Sequence, residues 1–75
     1  MSNELARRRI HEHRVRLGLS PEQYGLRIGV SGMTVRRVEK GYMPFLSTRA
    51  KFARALDCNH VDLFGMPDLP VRAAA

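Results

Sequence analysis

Few residues in this chain could do covalent or metal chemistry, and their spacing argues against it. His11 and His13 flank Glu12, and Cys58 lies two residues before His60. On a helix, residues two apart point about 200° away from each other, so His11 and His13 cannot grip one ion together. Cys58 and His60 have no second pair to complete the four ligands of a structural zinc. The sequence also lacks a phosphate-cradling glycine loop and a nucleophile with an adjacent base. The expectation is therefore no enzyme, no metal and no cofactor.

A different chemistry is written in the stretch IGVSGMTVRRVEKG, residues 28–41, where Arg36, Arg37 and Lys40 accompany Ser31, Met33 and Thr34. Arginine can hold guanine O6 and N7 with two hydrogen bonds, methionine can pack on a thymine methyl, and hydroxyls and lysine serve phosphate oxygens. The alternative is a solvated helix face. Charge favours a polyanionic partner: 13 Lys+Arg against 7 Asp+Glu give the 75 residues a net charge of +6. The charge is also uneven. Residues 1–54 hold 12 of the cations and four of the acids, a balance of +8, whereas residues 55–75 hold one Arg and three Asp, a balance of −2. The run Arg7-Arg8-Arg9 either adds unspecific phosphate attraction or is itself a solvated face.

A chain this short permits one domain of mostly local topology, assigned to residues 1–66 with a short tail at 67–75. Its single cysteine cannot form an internal disulfide and is read as a small core residue of a protein in a reducing compartment. No long apolar run or signal-peptide pattern is present, so a soluble, cytoplasmic protein is expected.

The periodicity is helical throughout. Ala6, Ile10, His13 and Leu17 fall on one face of a helix over residues 5–17, which ends at Gly18. Ser20-Pro21-Glu22-Gln23 then reads as a start signal: Ser20 as cap, Pro21 at the first helical position, Gln23 closing a capping box. This second helix carries Tyr24 and Ile28 inward and stops at Gly29. Ser31 caps a third helix, with Val35 and Val38 facing the core, which ends at Lys40-Gly41. The stretch STRAKFARAL predicts a fourth helix, capped by Ser47 and burying Phe52, Ala53 and Leu56. NHVDLFG predicts a last short turn, capped by Asn59, with Val61 and Leu63 or Phe64 packing back. Two short helices joined by about four residues including a glycine form a helix-turn-helix.

With GLS at 18–20, IGVS at 28–31, Val35 and VEKG at 38–41, the sequence resembles the Cro/repressor-type helix-turn-helix domains of phage repressors and bacterial regulators, over residues 5–64. The resemblance implies an all-α, compact, five-helix, lambda-repressor-like fold that binds double-stranded DNA, with the third helix as recognition helix. Gly32, Met33, Arg36 and Arg37 then meet base edges, with Gly32 contributing only a close backbone approach. Ser20, Ser31, Thr34, Lys40 and Tyr42 are the phosphate contacts. The resemblance also implies a structural ion pair between Arg14 and Glu39. Three positions depart from the family pattern. Pro21 replaces the usual Gln and removes a phosphate contact, Gly25 replaces a usual Ala, and His13 replaces an aliphatic residue and is read as a satisfied, half-buried histidine.

One recognition helix contacts few bases, so a dimer on a near-palindromic operator is expected, the protein acting as a repressor. Leu63, Phe64 and Met66 are the expected dimer contact; the alternative is that they close the core. A second functional class stays open, an antitoxin or other protein-interaction module of the same fold.

Overall fold

The computed structural model describes residues 4–65. Five helices follow one another: α1 (Glu4–Leu17), α2 (Pro21–Ile28), α3 (Gly32–Glu39), α4 (Leu46–Ala55) and α5 (His60–Phe64). No strand occurs among the described residues. The expected tail at 67–75 and Met66 lie outside them.

Local chemistry sets most of the boundaries. The Ser20 side chain accepts the amide of Gln23 at 3.1 Å while the Gln23 side chain accepts the Ser20 amide at 2.9 Å, a complete capping box with Pro21 just inside it. Ser31 accepts the amide of Thr34 at 3.0 Å to start α3, and Asn59 accepts that of Val61 at 2.9 Å to start α5. Ser47 does not cap α4. That helix begins at Leu46, with Phe45 in the cap position and no side-chain cap bond, so Ser47 already lies inside the first turn. Arg49 instead secures the entry by donating from Nη1 to the Pro44 carbonyl at 2.6 Å.

The apolar stripes converge on one core of Ala6, Ile10, Tyr24, Val35, Val38, Phe52, Ala53, Leu63 and Phe64, with Leu19, Ile28, Val30, Leu56 and Cys58 packed around it. Phe52 and Phe64 meet edge to face with centroids 6.3 Å apart, joining α4 to α5. Leu17, placed on the inner face of α1 by its spacing, is instead 38% exposed, because the last residue of the helix runs past the core. Leu63 and Phe64 are 1% and 5% exposed. They close the core against α1 and α4. Their side chains offer almost no surface to a second copy, and the dimer contact expected of them is not available.

Candidate nucleic-acid interface

The α2–turn–α3 unit is held together by unusually close backbone approaches. A Cβ built on Gly25 would lie 2.4 Å from the Val30 carbonyl oxygen and 3.2 Å from the Gly32 nitrogen, so the turn rests directly on α2. The Gly25 carbonyl accepts the amides of both Gly29 and Val30, at 2.7 and 2.9 Å, and so closes the end of α2 into the turn. Gly25 therefore supplies more room than the Ala it replaces would allow. Gly32 does the same for α3. A Cβ there would fall 2.8 Å from Glu22 Cγ and 3.0 Å from Glu22 Cα. Its bare face is turned toward Glu22 of α2.

Val35 and Val38 are fully buried, and this orients the opposite side of α3 outward. On that side Met33 is 54% exposed, and Arg36 and Arg37 are exposed. The two arginines differ. Arg37 has no side-chain partner among the described residues, whereas Arg36 Nη1 is ion-paired with a Glu22 carboxylate oxygen. At the start of the helix the Ser31 and Thr34 hydroxyls lie 3.0 Å apart, so one donates to the other and one hydroxyl hydrogen is left for an outside acceptor. Ser20 accepts from Gln23 and keeps its own hydroxyl hydrogen. Lys40, the C-cap of α3, and Tyr42 just beyond it are exposed.

The far end of α3 is tied to α1. Arg14 Nε donates to Glu39 Oε2 at 2.6 Å, Nη2 to Oε1 at 3.0 Å, and Nη1 to the Leu19 carbonyl at 2.9 Å. The two side chains are 15% and 12% exposed. His11 Nδ1 is also 2.9 Å from Glu39 Oε1, a member of this cluster that metal-ligand reasoning about His11 passed over. Burial alone would raise the Glu39 carboxyl, and the hydrogen bonds from Arg14 and His11 more than reverse it, so Glu39 titrates below the usual carboxylate range.

Beside this tie runs a groove lined by Arg7, Arg8 and His11 of α1, Pro21 of α2, and Arg36 and Lys40. The triple-arginine run is thereby divided. Arg7 and Arg8 border the end of α3, with Arg7 held to Glu4 at 2.6 Å, whereas Arg9 lines a separate hollow with Glu12 and Arg16.

His13 sits away from this face. Its Nδ1 shares a 2.8 Å hydrogen bond with the fully buried Tyr24 hydroxyl, and the rings meet edge on. Burial first, then Arg16 and Arg27, push the His13 pKa down, and burial pushes Tyr24 up to about 12. No group of three or more His, Cys, Asp or Glu that could hold a metal ion exists among the described residues. No helix among them is long and apolar enough to cross a membrane.

A capped short helix, a glycine turn and a second capped helix whose outer face is cationic form one unit here, and the helix-turn-helix family model matches residues 10–63. The chain belongs to the helix-turn-helix family. That family is non-enzymatic and DNA-binding. Among similar proteins, an uncharacterized HTH-type transcriptional regulator of Methanothermobacter thermautotrophicus is 43% identical over 54 residues, 71% of this chain and 78% of the relative. The uncharacterized HTH-type transcriptional regulator YgzD of Bacillus subtilis (strain 168) is 34% identical over 61 residues, 80% of this chain and 92% of the relative. No solved structure gives a significant match.

Sequence reasoning missed Glu22 as the partner of Arg36. Their meeting depends on the distance between two helices, for which no local spacing exists.

Proposed function

We propose that this helix-turn-helix protein is a cytoplasmic transcriptional regulator, a repressor, that reads an operator in double-stranded DNA by laying α3 in the major groove. The observation that carries this reading is the division of α3 into a buried Val35–Val38 side and an exposed side bearing Met33, Arg36 and Arg37. The two HTH-type relatives support it, since each is named a transcriptional regulator. Met33, Arg36 and Arg37 read base edges, while Ser20, Ser31, Thr34, Lys40 and Tyr42 contact the backbone, and Arg7 and Arg8 extend the cationic path along α1. Gly32 reads nothing.

Because one short helix spans few base pairs, two copies bind a near-palindromic site. Selection of duplexes from a randomised pool tests the proposal. The enriched sequences should share half-sites of opposite orientation, and affinity should fall with salt by about 0.9 log units per log unit for each phosphate neutralised. A pool that enriches nothing, or a flat salt response, overturns it.

A further inference from the structure

The segment 20–41 carries two carboxylates, and they differ in burial. Glu39 is enclosed with Arg14. Glu22 stands at the exposed start of α2, next to the outer face of α3, where a DNA backbone would repel it. Yet its surroundings place it with care. Gly32 and Arg36 are one helical turn apart on the same side of α3. The Glu22 stem lies over the bare face of Gly32, with Cγ 2.8 Å and Cδ 3.0 Å from where a Cβ would be, and its carboxylate emerges at Arg36. Any side chain at position 32 would take the space this stem occupies.

We propose that Glu22 is a positioning residue for base reading, and that the Gly32 gap exists to deliver its carboxylate to Arg36. The inference rests on the DNA reading above. The Arg36 guanidinium offers five donors in a planar fork, and Glu22 engages it through Nη1, which leaves the Nε–Nη2 edge for the paired acceptors of a guanine. An exposed arginine without such a partner turns to the nearest phosphate, where it adds affinity and no selectivity. Glu22 works against that outcome twice. It occupies part of the Arg36 charge, and it repels the backbone on its own account. The carboxylate thus lowers binding to arbitrary DNA while holding Arg36 in the pose that distinguishes one base pair.

This arrangement has a signature that structural damage cannot imitate, because damage lowers binding to every duplex. Wild type, Glu22→Gln and Glu22→Asp are compared by fluorescence anisotropy on a duplex enriched by wild type from a randomised pool. Each is also measured on its single-base-pair variants and on a scrambled duplex, with urea unfolding as a control for folding. Glu22→Gln should bind the scrambled duplex more tightly, with a salt slope steeper by about 0.9 as Arg36 takes up a phosphate. Its discrimination at one base pair per half-site should fall about fivefold, with the other positions unchanged. Glu22→Asp keeps the charge but is a methylene short, so it should lose the same discrimination without the full gain on scrambled DNA. In an Arg36→Gln background, Glu22→Gln should no longer change discrimination at any position. Unchanged discrimination by Glu22→Gln at every position, or an equal loss on all duplexes, overturns the positioning role while leaving the DNA reading intact. If wild type enriches no sequence at all, the DNA reading fails and this inference with it.

Discussion

Replacing Arg14 by methionine keeps most of the apolar stem and removes the charge that ties α1 to the end of α3. Three hydrogen bonds go with it, two to the Glu39 carboxylate and one to the Leu19 carbonyl. At an effective dielectric near 20, a unit charge pair about 4 Å apart gains about 4 kcal/mol. Against this stands the desolvation that burying the arginine had cost. The balance is set by what remains: a Glu39 side chain 12% exposed, with His11 as its surviving partner. Removing one member of an enclosed pair typically costs about 3 to 5 kcal/mol, and the residual exposure here lowers that to about 2 to 4. A domain of this size has a total stability of about 4 to 11 kcal/mol, so the variant should lose a large share of it and melt about 10 to 25 °C lower.

Urea unfolding followed by circular dichroism measures the loss, and acid titration supplies an independent check. Glu39 has a folded pKa below its ordinary 4.5, so its contribution is fully present above that value and is lost as pH falls through the lower folded value. Wild type should therefore weaken in acid more steeply than Arg14→Met does over the same window. The double variant Arg14→Met/Glu39→Leu should recover part of the loss by removing the stranded carboxylate. His11→Ala should cost less than about 1 kcal/mol, because that side chain is 54% exposed and makes a single contact with Glu39. If Arg14→Met costs under about 1 kcal/mol, or the double variant is weaker than the single one, the pair is an ordinary solvated contact and does not tie α1 to α3.

Gly25→Ala pits two effects against each other: helix propensity favours alanine by about 1 kcal/mol, while a Cβ 2.4 Å from the Val30 oxygen forces the turn to move at a cost of about 1 to 3 kcal/mol. Urea midpoints should show a net loss of stability, and a gain would mean the turn yields freely. His13→Leu strands the buried Tyr24 hydroxyl and should cost about 1 to 3 kcal/mol, most of it returned by adding Tyr24→Phe. Because the folded His13 pKa lies below its ordinary 6.5, wild type should lose stability as pH falls from that value through the folded one, a slope that His13→Leu abolishes in the same unfolding series. On the operator, Arg37→Ala should lose about 1 to 3 kcal/mol and relax one base pair per half-site, whereas Lys40→Ala should weaken all duplexes alike and reduce the salt slope by about one. Anisotropy on matched and scrambled duplexes separates the two, and an equal loss for Arg37→Ala on both would make it a phosphate clamp.

Much of the fold was legible because its signals are local. The Ser20–Gln23 box, the Ser31 and Asn59 caps and the Val35–Val38 pair each operate within one or two turns, and each occurs where its spacing predicts. Ser47 misled because the chain enters α4 from a buried Pro44 and an extended Phe45, so the helix starts one residue before the apparent cap. Leu63 and Phe64 misled differently. Apolar residues in a segment poor in cations look the same whether they face a partner or a core, and only the docking of α5 on α1 and α4 separates the cases. At the interface, the exposed side of α3 follows from the two valines alone. The contact of Glu22 with Arg36, the place of His11 beside Glu39 and the division of the arginine run all depend on how helices are spaced.

Those spacings explain how a helix of eight residues can be rigid enough for the DNA reading proposed for it. An isolated helix that short does not persist in water, so its order comes from its attachments. Ser31 fixes its first turn, Gly25 and Gly32 bring α2 into direct backbone contact with it, Val35 and Val38 anchor it from below, and Arg14 holds its last residue. Met33 and Arg37 contribute to none of this. They can be replaced without disturbing what holds the helix, so a change in the sequence being read need not change the fold. Arg36 is the exception, because its orientation is tied through Glu22 to the same glycine contact that sets the distance between α2 and α3. A substitution at position 32 should therefore displace the Glu22 stem and alter both the proposed recognition and the packing of α2 on α3.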